Sequence, residues 1–119
     1  MQTELETPRE RITFDDFLKV DIRVGRIVKA EPFPEARRPA YRLEIDFGPL
    51  GRRRSSAQIT RRYRPEELEG RLVVAVVNFP PKQIANMMSE VLVLGAVPEP
   101  GDVILLAPDH DVAPGTRIA

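Results

Sequence analysis

The sequence predicts an all-β protein: one small five-stranded barrel with a short N-terminal helix, one small helix between strands, and extension strands at the C-terminus. Three observations lead there. Apolar and polar residues alternate over short stretches, glycine and proline separate those stretches at close spacing, and only two brief segments carry helix signals. A length of 119 residues suffices for one hydrophobic core and one domain.

Residues 1–12 lack periodicity and are expected to form a flexible lead, with the domain over residues 13–119. Thr13 has the character of an N-cap, and Asp16 sits three positions on, where a capping box needs it. Phe14, Phe17 and Leu18 would share one face of a helix of one to two turns, too short to be stable without cover from the barrel or a second chain.

Val20, Ile22 and Val24 then alternate with Asp21 and Arg23, and Gly25 interrupts the pattern before Ile27-Val28, which suggests a bulge at the glycine. Pro32 and Pro34 remove backbone donors, so residues 31–35 are expected to leave the ladder. Tyr41, Leu43, Ile45 and Phe47 alternate with Arg42, Glu44 and Asp46, and after the turn at Gly48-Pro49-Leu50-Gly51 a third strand returns from Arg52 to Ile59. Pro65 at a first helical position, acids in the first turn and Gly70 as a stop predict the small helix. Leu72 to Val77 is apolar throughout, so both faces of that strand should be covered. Pro80-Pro81 breaks the chain, Glu90 to Leu94 begins another strand, and Val103 to Leu106 gives the last clear one before a proline- and glycine-punctuated tail. Five or six short strands with one helix between the third and fourth is the pattern of an OB-fold.

The apolar share of 42% excludes global disorder. With no cysteine there is no disulfide framework, thiolate zinc site or cysteine nucleophile. The first residues, Met1 to Glu6, are polar and acidic and lack the apolar core of a signal peptide. No apolar run approaches the roughly 20 residues that span a bilayer. The expectation is a cytoplasmic protein without direct membrane insertion.

Net charge is zero, but from Arg37 to Arg71 ten arginines face five acids, while the flanking segments are net acidic. A basic middle on a neutral chain suits a selective anion-facing surface or, alternatively, a merely solvated arginine-rich one. Catalytic equipment is missing from the pattern. His110 lies between Asp109 and Asp111 without a second histidine nearby, Asp15-Asp16 suits helix-start electrostatics, and Ser55-Ser56 lacks a base. No glycine-rich phosphate loop occurs. A binding protein that uses neither metal nor cofactor, and not an enzyme, is expected.

The stretch from Val77 to Leu94 carries the binding signal. Asn78 and Ser89-Glu90 put hydrogen-bonding groups at strand ends, where an OB barrel presents its binding face; ending a strand and satisfying backbone donors would explain them equally well. Phe79, Ile84, Met87 and Met88 form an apolar set in what reads as loop, and methionine adapts to varied apolar partners.

Asp21-Ile22-Arg23-Val24-Gly25-Arg26-Ile27-Val28-Lys29-Ala30, Ser55-Ser56-Ala57-Gln58-Ile59-Thr60, Val77-Asn78-Phe79-Pro80-Pro81 and Ser89-Glu90-Val91-Leu92-Val93-Leu94-Gly95, in that order, resemble the tRNA-binding-domain family. That family includes OB-fold appendages of some methionyl- and phenylalanyl-tRNA synthetases, free-standing tRNA binders, and a branch of small bacterial chaperones with export-related activity. Ser-Glu is followed here by Val91-Leu92 in place of the Gly-Met typical of the tRNA binders, which favours the chaperone branch. The resemblance implies a homodimer that binds unfolded or pre-secretory polypeptide and cooperates with the export translocase. Peptide would be held by Phe33, Phe79, Ile84, Met87 and Met88, and the dimer by Phe14, Phe17 and Leu18. The alternative ligand is tRNA, with Arg52, Arg53, Arg54, Arg61 and Arg62 on phosphates and Asn78, Ser89 and Glu90 on bases or sugars.

Overall fold

The structure, a computed structural model, describes residues 8–119, so most of the 1–12 lead lies outside the described residues. Helix α1 (Phe14–Leu18) starts where its cap predicts. Thr13 Oγ1 accepts the Asp16 N–H at 3.1 Å, and the Asp16 carboxylate accepts the Thr13 N–H at 3.2 Å. That backbone N–H, followed by the Lys19 ammonium, holds the Asp16 carboxyl below its ordinary range. The Phe14 and Phe17 rings lie 6.2 Å apart, but Phe14 and Leu18 stay exposed: the barrel does not cover this helix.

An antiparallel sheet forms the barrel. Its strands are β1 (Ile22–Pro32), β2 (Tyr41–Asp46), β3 (Arg52–Ala57), β4 (Leu72–Val76) and β7 (Leu92–Val93), in the spatial order β3-β2-β1-β4-β7. The eleven residues of β1 are long enough to serve two neighbours: its first half pairs with β4 and its second with β2. A 3-10 turn (Gly48–Leu50) joins β2 to β3, and helix α2 (Pro65–Leu68) follows β3 at the predicted place. Outside this sheet stand two hairpins, β5 (Lys82–Ile84) with β6 (Met87–Ser89) and β8 (Gly95–Glu99) with β9 (Asp102–Leu105). Strand β10 (Arg117–Ile118) returns to pair with the start of β1. The result is a nearly closed antiparallel barrel of OB type, as expected.

Alternation fills the core. Tyr41, Leu43 and Ile45 of β2 point inward and pack with Ile27, Phe47, Leu68 and Val73, while Arg42, Glu44 and Asp46 stay half-buried on the outer face. The uniformly apolar β4 is covered on both faces, with Val73 to Val76 all buried.

Four local expectations need correction. The bulge in β1 falls between Ile27 and Lys29, not at Gly25. Gly25 instead permits close packing, because a Cβ there would lie 2.6 Å from Ile45 Cγ2 and 2.7 Å from Phe47 Cε1. Glu31 and Pro32 remain in the ladder, opposite Arg42 and Tyr41, because a proline at the last strand position need not donate. The segment expected as loop after Pro81 is the β5–β6 hairpin, turned at Ala85-Asn86 with Ala85 at a φ of 50°. Finally, the regular part of β3 ends at Ala57, not Ile59.

Candidate functional site

A groove of about 1070 Å³ opens between the turn after β1, the end of β3 and the β5–β6 hairpin. Phe79, Pro80, Ile84 and Leu92 give it an apolar lining, and Ser56, Gln58 and Ser89 add polar groups. Arg37 and Arg38 from the turn and Lys82 from β5 bring positive charge. Glu35 also lines the groove, but Arg42 takes its carboxylate at 3.9 Å.

The five expected peptide-binding residues separate into three groups. Phe79 and Ile84 line the groove, and Phe79 is 54% exposed. Met88 is exposed on the hairpin opposite Gln83 and is not part of the lining. Phe33 and Met87 are buried with Ala40 in a small second core, against which Ala36 and Ile84 pack, so they support the groove from beneath instead of facing a ligand. The Phe33 ring also carries the Arg42 guanidinium, 5.1 Å from its centroid.

Most of the arginines expected on phosphates have partners within the chain. Arg52 pairs with Glu44 at 3.1 Å, Arg53 donates to the Leu50 carbonyl at 3.3 Å, and Arg61 pairs with Glu99 at 2.7 Å. Arg62 grips the buried Asp102 through both Nε and Nη2, and those hydrogen bonds hold the Asp102 carboxyl below its ordinary range. The last two pairs fasten the β8–β9 hairpin to the loop after β3. Among the described residues, Arg53 and Arg54 of that set have no carboxylate partner, and neither have Arg37, Arg38 and Lys82.

The three polar residues singled out near the binding face are turned toward the barrel. Asn78 accepts the Asp21 N–H at 2.9 Å and donates to the Lys19 carbonyl at 2.7 Å, tying α1 to the end of β4. Glu90 Oε1 accepts the Arg54 N–H at 2.8 Å, and the Glu90 N–H donates to the Arg54 carbonyl at 2.8 Å. Ser89 Oγ accepts the Ser56 N–H at 3.0 Å, and buried Ser55 donates to the Val91 carbonyl at 3.1 Å. Together these bonds close the seam of the barrel between β3 and residues 89–91. The Ser55-Ser56 and Ser89-Glu90 motifs are thus two sides of one joint.

Sequence reasoning missed Arg37, Arg38 and Lys82 as groove residues. The available signal was two adjacent arginines in a proline-flanked turn, a break from strand alternation that gives neither side chain an inward role. Among the described residues no cluster of His, Asp and Glu could hold a metal ion, and no helix is long and apolar enough to cross a membrane.

Comparison with known proteins agrees with the geometry. Residues 22–117 match the family model described as "Putative tRNA binding domain". The chaperone CsaA of Bacillus anthracis is 59% identical, with a TM-score of 0.89 over 92% of this chain and 100% of that one. The CsaA chaperone protein of Picrophilus torridus is 55% identical, with a TM-score of 0.85 and the same coverage. The methionine–tRNA ligase of Porphyromonas gingivalis is 39% identical over 109 residues; these are 92% of this chain, which spans only 16% of that ligase.

Proposed function

This chain belongs to the tRNA-binding-domain family, and from that premise we propose that it is a chaperone-type binding protein whose groove holds segments of unfolded or pre-secretory polypeptide. The observation that carries this reading is an apolar groove on a barrel highly similar to CsaA chaperones, lined by exposed Phe79 with Pro80, Ile84 and Leu92. Apolar contact needs no fixed sequence in the client, which suits a protein that meets many chains. The protein acts in the cytoplasm, without catalysis, and hands clients to the export translocase. It works as a homodimer: exposed Phe14 and Leu18 on α1, and Val97, Ile104 and Leu106 around the β8–β9 hairpin, are apolar surface that a second copy would cover.

A second reading, tRNA binding, is favoured by the family model and by unpaired Arg37, Arg38, Arg54 and Lys82. About four phosphate contacts would release counterions and weaken tRNA binding roughly a hundredfold between 50 and 200 mM salt.

Parallel titrations with an unfolded preprotein and with tRNA at those two salt concentrations test both. Polypeptide binding that changes little with salt and is lost in F79S/I84S is the expected result. Polypeptide binding that survives F79S/I84S removes the groove from the reading, and steeply salt-dependent tRNA binding without polypeptide binding replaces it with the second.

A further inference from the structure

We propose that the groove selects acidic segments, taking polypeptide in which apolar side chains are flanked by aspartate or glutamate; this rests on the peptide-binding reading above. The charge pattern carries it. Several cations elsewhere on the barrel have a carboxylate partner within the chain: Arg52 with Glu44, Arg61 with Glu99, and Arg62 with Asp102. Inside the groove three cations lack one. Glu35, the one acid in the lining, lies 3.9 Å from Arg42, which also faces Glu31 at 3.5 Å, while Arg37, Arg38 and Lys82 have no carboxylate partner among the described residues and leave the lining net positive.

The cations come from two separate borders, the 35–38 turn and the first residue of β5, with apolar Ile84 and Phe79 lining the same space. A segment whose apolar residues enter the groove therefore places its neighbours near positive charge. Carboxylates there complete ion pairs that the chain lacks, whereas lysine or arginine would meet like charge. The lining is mostly aliphatic, Ile84, Leu92 and Pro80 beside the single aromatic ring of Phe79, which suits apolar side chains better than a run of stacked bases and favours peptide over RNA as the anion.

The test uses three labelled peptides with one shared apolar centre and flanks of glutamate, glutamine or lysine, titrated into the intact protein. Glutamate flanks are expected to bind best and lysine flanks worst, about tenfold apart at low salt, as three exposed ion pairs together would give. The gap narrows at high salt. R37S/R38S/K82S removes the ordering with its melting temperature intact, and R52S, altered outside the groove, keeps it. Equal binding of all three peptides, or lysine preferred, overturns the acidic preference while the peptide-binding reading stands. Failure of all three to bind overturns that reading itself. Displacement of the glutamate peptide by tRNA that binds more tightly at both salt concentrations assigns the cations to RNA and overturns the proposal.

Discussion

Replacing Ser89 and Glu90 together by alanine tests whether these residues hold the barrel or a ligand. The double variant removes two acceptors from β3, the Ser89 hydroxyl at 3.0 Å from the Ser56 nitrogen and the Glu90 carboxylate at 2.8 Å from the Arg54 nitrogen. Each loss costs about 1–1.5 kcal/mol, giving roughly 2–3 kcal/mol for the pair. With an unfolding entropy of about 2.1 cal/mol/K per residue, a domain of this length loses about 4 °C per kcal/mol, so the melting temperature falls by roughly 8–12 °C. E90Q keeps an acceptor oxygen and falls by less than half as much as E90A. Thermal unfolding followed by circular dichroism gives the shift, and hydrogen exchange at the Arg54 and Ser56 amides locates it. A double variant that melts within about 2 °C of the parent yet loses ligand affinity refutes the seam and returns both side chains to the ligand.

Two further predictions concern the core and the outer hairpin. G25A places a methyl against Ile45 and Phe47 and costs about 1–3 kcal/mol, and F47L recovers part of that loss in the double variant, measured by chemical denaturation. The Asp102 carboxyl titrates lower folded than unfolded, so its contribution is present above the ordinary carboxylate range and is lost as pH falls through the lowered folded value. Melting curves from pH 7 to pH 2 should therefore show an acid decline that D102N, already less stable at neutral pH, shows to a smaller degree; identical declines would mean that the carboxylate adds nothing.

The parts of the fold legible in the sequence are those set by near neighbours. Alternation from Tyr41 to Phe47 announced β2 and its buried face, and the Thr13/Asp16 spacing announced the cap of α1. The β5–β6 hairpin was hidden because Ala85-Asn86 turns the chain without the glycine that marks most tight hairpins, and because two prolines precede it. In the site, Phe79 and Ile84 were legible as unplaced apolar residues. The burial of Phe33 and Met87 was not, since each is covered by the other's segment across more than fifty residues of chain. The arginines were hidden for the same reason. An Arg52-Arg53-Arg54 run looks like an anion site until Glu44 is brought beside it, and Arg62 meets Asp102 forty residues away.

Where β3 meets residues 89–91, the joint is made largely by a carboxylate and two hydroxyls in place of a continuous main-chain ladder. A ladder is indifferent to residue type, so mutation hardly reaches it; a joint written in side chains is inherited residue by residue. Ser56 and Ser89 belong both to that joint and to the groove lining, so one substitution there adjusts the fit of the barrel wall and the width available to a ligand together. In those two positions the barrel has a dial for retuning what it holds, set apart from the hydrophobic interior that keeps it folded.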